Sequence, residues 1–304
     1  MKNILKLRNI KKIIFNPHLV LIRLFYNLNR LFSDISAFFG MYKYKYNIVF
    51  IAGMPASATT LVKNMFGYVP GYFTRHTPMP YEVFVNQNIC DSAFKYCPRW
   101  GYTIFKTHLN PWDENINLIR KNNVKKVIVT YRDLRDVALS TYYRQLKWPK
   151  EKSDPYYMDY SKLSKEEALN HRISIVAKEF IPWMKGWFEI SKKYNNFVHF
   201  CRFEMLKASP ELGNPEEFSK MLEFYEIQLS QKKISEIIEK TRAKGTMVRN
   251  LYKVALLPWA FSTNFRSGKT GGWREEFTVN NKKHFKKLAG DFLIELGYEK
   301  NNNW

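Results

Sequence analysis

Residues Asn47–Val62, NIVFIAGMPASATTLV, decide how this chain folds. Ile48–Ile51 is a short unbroken apolar run rich in β-branched residues, the pattern of a strand buried on both faces of a parallel sheet. The run breaks at Ala52-Gly53, turns through Pro55 and reaches Thr59-Thr60 ahead of a helix-like segment. A strand, a tight loop of small residues and a helix start together build an anion site. Loop N–H groups and the helix N-terminus point at one place, where the helix dipole favours negative charge. An ordinary strand-to-helix turn is the other reading this stretch permits on its own. It does not fit the phosphate loop GxxxxGK[ST], which needs a Lys where Ala58 stands.

Working outward, Tyr102–Phe105 reads as a second strand that delivers Lys106-Thr107-His108 to its C-terminal end. Lys126–Tyr131 reads as a third and delivers Arg132 to the same edge, where open α/β sheets bind ligands. Asp133 can cap the following helix, which carries Asp136, Ser140 and Tyr143. Phe197–Phe203 is a further strand leading to Glu204-Met205-Leu206. Lys165–Tyr194 has a helical pattern interrupted at Pro182, Asn214-Pro215-Glu216-Glu217 is a capped helix start, and Ser230 begins another helix. Thr278 caps a last helix with Phe285, Leu288, Ala289, Phe292 and Leu296 on one face, ended by Gly297. Helices alternating with strands predict an α/β parallel sheet covered by helices. Residues 67–100 show little periodicity, and Tyr72, Phe73, His76, Tyr81 and Phe84 there read either as an acceptor pocket or as core. Residues 144–164 read as a surface loop able to cover a substrate.

Four motifs in order, between residues 47 and 278, resemble a known family. Pro55-Ala56-Ser57-Ala58-Thr59-Thr60 stands where that family reads P-[KR]-S-G-T-T, and Lys106-Thr107-His108-Leu109 matches its K-T-H-L. Arg132 followed by Ser140 matches its strand-ending Arg with a Ser eight residues later. Arg266-Ser267-Gly268-Lys269-Thr270-Gly271-Gly272-Trp273 matches R-K-G-x-x-G-x-W. The family is that of the sulfotransferases using 3′-phosphoadenosine-5′-phosphosulfate (PAPS), of the cytosolic type and its bacterial relatives.

The resemblance implies a P-loop-like parallel sheet flanked by helices, with residues 46–304 forming a single sulfotransferase domain. It implies PAPS as co-substrate, no metal, and transfer of a sulfonate to an acceptor hydroxyl. Pro55, Ala56, Ser57, Ala58, Thr59 and Thr60 would receive the 5′-phosphosulfate, while Arg132, Ser140, Arg266, Ser267 and Gly268 would receive the 3′-phosphate. His108 would be the general base and Lys106 would stabilise charge on the transferred group. Outside that context, a lone His is usually structural, and Arg132 could simply pair with Asp133 or Asp136.

Three departures bear on this. Ala56 replaces the loop's basic residue, leaving Arg75 or Lys269 as candidate substitutes. Ala58 replaces a Gly and disfavours positive φ. Ser267 replaces a Lys. The family's dimer motif K-x-x-x-T-V-x-x-x-E is matched by Arg274, Thr278 and Val279 but not by Lys283. A second reading therefore stands beside the enzyme: a catalytically weak nucleotide-binding or scaffold protein on the same fold. The missing Lys of the phosphate loop argues against a nucleotide kinase.

With 304 residues, 45% hydrophobic and 16% aromatic, the chain can bury a substantial core. Cys90, Cys97 and Cys201 form neither a disulfide framework nor a zinc pattern, which favours a reducing, cytoplasmic setting. A formal charge of +22 implies anionic partners, but no nucleic-acid motif accompanies it. Residues 1–45 stand apart: a basic lead, then Leu21, Leu24, Phe25, Leu28, Leu31, Phe32 and Ile35 at helical spacing. They lack a membrane-spanning run and the pattern of a secretory signal. An amphipathic helix remains, packed on the domain or lying peripherally on a membrane. The acceptor, whether glycan, lipid, small molecule or protein tyrosine, is left open.

Overall fold

The computed structural model describes residues 17–74, 87–95, 97–147, 154, 156–206, 213–253 and 269–304. Among them β1 (Ile48–Gly53), β2 (Tyr72–Thr74), β3 (Tyr102–Thr107), β4 (Val127–Tyr131) and β5 (Val198–Arg202) form a parallel sheet in the order β2-β3-β1-β4-β5. The helices are α1 (Pro17–Phe38), α2 (Thr59–Phe66), α3 (Asp113–Lys121), α4 (Leu134–Lys147), α5 (Lys165–Lys193), α6 (Phe203–Leu206), α7 (Pro215–Phe224), α8 (Gln231–Lys253), α9 (Trp273–Glu276) and α10 (Val279–Glu295).

β1 is central because all six of its residues are buried, which only an inner strand covered on both faces requires. Its side chains alternate between two cores. Val49 and Ile51 pack with Val62 and Phe66 of α2 and with Phe218 of α7. Phe50 and Ala52 face Ile116, Leu139, Trp187 and Phe285 from the helices on the opposite side. Register is pinned where Tyr225, fully buried, accepts from Phe50 N–H and donates to the Lys126 carbonyl at 2.7 Å. The helix-flanked parallel sheet is the expected α/β class.

Several local expectations hold. Asn214 accepts from the Glu216 amide with Pro215 at the first helical position, and Thr278 forms a capping box with Asn281. Gly297, at φ +69°, closes α10 while the Tyr298 amide reaches back to the Leu293 carbonyl.

Others are corrected. α5 runs through Pro182 without interruption. Pro182 is exposed, so water can satisfy the carbonyl it leaves free. Phe180, Trp183, Met184 and Trp187, all buried, hold the helix on both sides of it. β2 is a strand inside the stretch of little periodicity, too short for a period to register. Its Tyr72 is core, donating to the Tyr46 carbonyl at 2.6 Å, and Phe73 is buried as well. His76, Tyr81 and Phe84 lie outside the described residues. The first part of the loop expected over 144–164 is helix, since α4 continues to Lys147.

Candidate active site

The β1–α2 loop is held from beneath by Thr130 at the end of β4. The Met54 amide donates to the Thr130 carbonyl at 2.9 Å. Ser57, fully buried, sets its hydroxyl 2.7 Å from Thr130 Oγ1 and 3.0 Å from the Thr130 carbonyl. Thr59 Oγ1 lies 3.4 Å from Thr130 Oγ1, while Thr60 is exposed. Gly53 is the pivot: a Cβ there would fall 2.2 Å from Thr130 Oγ1 and 2.5 Å from Thr59 Oγ1.

The loop keeps a left-handed path despite lacking glycine. Ala56 has φ 65° and Ala58 has φ 67°. Left-handed backbone costs an L-residue roughly 1–2 kcal/mol, a strain the surrounding hydrogen bonds hold in place. Ala58 is the N-cap of α2 and no side chain caps that helix, so its first N–H groups face the loop uncapped. That is the anion-attracting arrangement, here formed by alanines.

Arg132 crosses from β4 to this loop. Its Nη1 donates to the Ala56 carbonyl at 3.2 Å and its Nη2 to the Lys269 carbonyl at 2.6 Å. Nη2 also lies 3.4 Å from Asp136 Oδ2, so the simple ion pair exists. Asp136 is itself committed to the C-terminal motif, accepting from the amides of Gly271 (2.7 Å) and Trp273 (3.3 Å). Burial raises the Asp136 pKa, with Arg132 pulling it back. Arg132 thus ties the loop, α4 and the 269–273 turn together. Its Nε is buried without a hydrogen-bond partner among the described residues, a donor that an added anion would satisfy. Ser140 is half-buried two turns along α4. Asp133 caps α4 through the Arg135 amide (2.9 Å) and also pairs with the Arg135 guanidinium.

At the end of β3, Lys106 is half-buried and its pKa is lowered by burial. His108 sits two residues on, its Nδ1 bonded to the Gly53 carbonyl. A carbonyl only accepts, so Nδ1 carries the hydrogen and Nε2 keeps its lone pair. Burial pushes the His108 pKa down to about 4; the bond to Gly53 pulls it back up, and the charges of Lys106 and, least of all, Arg144 add to the lowering. The ring is therefore a neutral base at pH 7.

Loop, Arg132, Lys106 and His108 thus meet at the C-terminal edge of β1, β3 and β4. Two contributors were not picked out from the sequence. Thr130 reads as one more strand residue, and nothing local reveals its role as the loop's footing. Arg144 stands one turn beyond Ser140 on α4, and that spacing was the available signal. Arg266, Ser267, Gly268 and Arg75 lie outside the described residues. Lys269 is exposed, and it is its carbonyl that meets Arg132. Among the described residues no cluster of potential metal ligands occurs.

An uncapped helix start, a buried arginine with an unfilled donor and a neutral imidazole thus share one sheet edge of an α/β protein. The family model of the sulfotransferase domain matches residues 47–297, and the chain belongs to the sulfotransferase family. Sulfotransferase 1A1 of Bos taurus is 29% identical over 175 residues, 54% of this chain and 55% of that protein. The chain thus spans about half the length of that curated relative. The crystal structure of mouse sulfotransferase SULT7A1 complexed with PAP matches at TM-score 0.61 and 18% identity, covering 83% of this chain and 86% of that one, a likeness of fold.

Proposed function

We propose that this protein transfers a sulfonate from PAPS to an acceptor hydroxyl, with His108 as general base. Residues 55–60 would surround the 5′-phosphosulfate, and Arg132 and Ser140, with Arg266, Ser267 and Gly268, the 3′-phosphate. The observation that carries the reading is the His108–Gly53 bond, which leaves the lone pair on Nε2 and ties the ring to the end of β1, whose loop runs into the uncapped N-terminus of α2. In the transfer, the acceptor oxygen forms a bond to sulfur as the sulfur–oxygen bond to the 5′-phosphate breaks. The hydroxyl proton passes to His108 Nε2, and adenosine 3′,5′-bisphosphate leaves. Lys106 favours that step by stabilising negative charge on the sulfonate and the departing phosphate. No step calls for a metal.

Arg144 adds a second cation whose charge reaches His108. It supports turnover in a loop that lacks a basic residue at Ala56, and it favours acceptors that carry negative charge. Cys90, Cys97 and Cys201 form no disulfide with one another, which supports a reducing, cytoplasmic location.

Incubation with PAPS and a panel of hydroxyl acceptors, following release of adenosine 3′,5′-bisphosphate, tests the reading. Acceptor-dependent release abolished in His108→Ala is the expected result. Tight binding of the bisphosphate with no turnover on any acceptor would favour the nucleotide-binding scaffold instead.

A further inference from the structure

α1 is attached to the domain along one narrow seam. Ser33 is buried; its hydroxyl donates to the Gly71 carbonyl at 2.8 Å and accepts from the Tyr102 amide at 2.9 Å. Asp34 accepts from the amides of Trp100 (2.7 Å) and Gly101 (3.0 Å). Gly101 is fitted to this contact, since a Cβ there would meet Ser33 backbone at 2.6 Å.

The opposite side of the helix is apolar and faces solvent. At about 100° per residue, Leu24, Leu28, Leu31, Ile35 and Phe38 share one stripe, and Ser33 lies half a turn away from its centre. All five are exposed, and beside them Phe32 and Phe39 are 66% and 74% exposed. Trp100, also exposed, extends the patch by packing its ring 5.7 Å from that of Phe38. Water-soluble surfaces rarely leave so continuous an apolar stripe open.

The sequence around the stripe is one-sided in charge. Lys2, Lys6, Arg8, Lys11 and Lys12 precede the helix, Arg23 and Arg30 lie within it, and Lys43 and Lys45 follow. The one acid in the segment, Asp34, is used at the docking seam. A second copy seated on this face would bring two basic segments together, and their repulsion opposes a symmetric pairing. An anionic lipid surface instead meets the apolar stripe with its acyl boundary and the lysines with its headgroups. Among the described residues no helix is long and apolar enough to cross a membrane.

We propose that the outward face of α1, with Trp100, lies in the interface of an anionic phospholipid membrane. The docked helix rests at the N-terminal ends of β2 and β3, whereas Lys106 and His108 sit at the far end of β3, about 17 Å away for a six-residue strand. Lipid binding therefore leaves the catalytic edge uncovered.

The test is co-sedimentation of the full chain with phosphatidylcholine vesicles with and without phosphatidylserine. Binding that depends on phosphatidylserine and falls as salt rises is the expected result. A Leu28→Asp, Leu31→Asp double variant should lose about tenfold or more of the partitioning, with an unchanged thermal melt because both side chains are on the surface. Lys2, Lys6, Lys11 and Lys12 changed together to Ala should remove the phosphatidylserine preference. The proposal is overturned if wild type stays in the supernatant, or if both variants sediment like wild type. It is equally overturned if analytical ultracentrifugation shows a dimer that the double aspartate variant dissociates, since the face then belongs to a second copy.

Discussion

Arg132 donates to the carbonyl of Ala56, so the residue expected to hold the 3′-phosphate also holds the loop expected to receive the 5′-phosphosulfate. The two expected anion sites are thus mechanically joined through one side chain. Arg132→Ala should therefore cost more than a single phosphate contact, at least about 1.5–3 kcal/mol of affinity for adenosine 3′,5′-bisphosphate by calorimetry. Arg132→Lys should recover only part of this, because an ammonium cannot bridge the Ala56 and Lys269 carbonyls and an anion at once. Unchanged affinity in the alanine variant would remove Arg132 from the site.

His108 makes the protein sensitive to acid. Its pKa is about 4 when folded against 6.5 unperturbed, so between these values the unfolded chain binds a proton that the folded chain does not. Its contribution is complete above pH 6.5 and is lost as pH falls towards 4. Denaturation curves for wild type should decline more steeply over that window than those for His108→Asn, which does not titrate. Parallel curves would mean that the ring is not buried neutral.

The charges around His108 also bear on the activity profile. Lys106 and Arg144 both press the His108 pKa down. Arg144→Gln should therefore raise it, visible as an upward shift of the ring's titration by NMR. Bound PAPS brings negative charge beside these cations and should act in the same direction. The acid limb of kcat should then lie at higher pH than that of kcat/KM for the donor. Coincident limbs would separate His108 from the donor site.

How far these features could be read in advance depends on the range over which their cause acts. β1, β3, the loop and the caps at Asn214 and Thr278 are determined locally, by apolar runs and by side chains that bond amides two or three residues away. β2 was missed because three residues at an edge, Tyr72–Thr74, carry no pattern, and parallel pairing with Tyr102–Ile104 alone makes them a strand. Continuity through Pro182 is likewise a tertiary effect of Trp183 and Trp187 packing. In the site, His108 and Arg132 were legible from where their strands end. Thr130 beneath Ser57, Asp136 reaching the Gly271 amide and the charge of Arg144 acting on His108 depend on segments far apart in the chain.

Ala58 stores strain that glycine would not. Ala58→Gly relieves the left-handed penalty but frees the unfolded chain, so the net gain should be roughly 0.5–1 kcal/mol, read as a rise in Tm. Gly53→Ala should do the reverse and more strongly, because its Cβ would strike both Thr130 and Thr59 hydroxyls. A lower Tm for Ala58→Gly would show that the alanine methyl makes contacts worth more than the strain.

Ala56 is where this loop departs furthest from its family, and the added-cation variants Ala56→Lys and Ala56→Arg probe it directly. If the site lacked a cation, either variant should raise the single-turnover rate, since a charge beside the leaving phosphate acts most strongly in the transition state. Two cations already stand at this edge and the charge of a third reaches it. Arg132 is bonded to the Ala56 carbonyl itself, and Lys106 and Arg144 both act on His108. A fourth would meet repulsion in a half-buried loop and draw Arg132 away from its anchoring carbonyl. It would also lower the His108 pKa further, leaving a weaker base. We therefore expect both variants to turn over more slowly than wild type. Combined with Arg144→Gln, Ala56→Lys should regain rate, because one cation then replaces another. A clear rate increase in Ala56→Lys alone would mean that Arg144 does not stand in for the loop's missing charge.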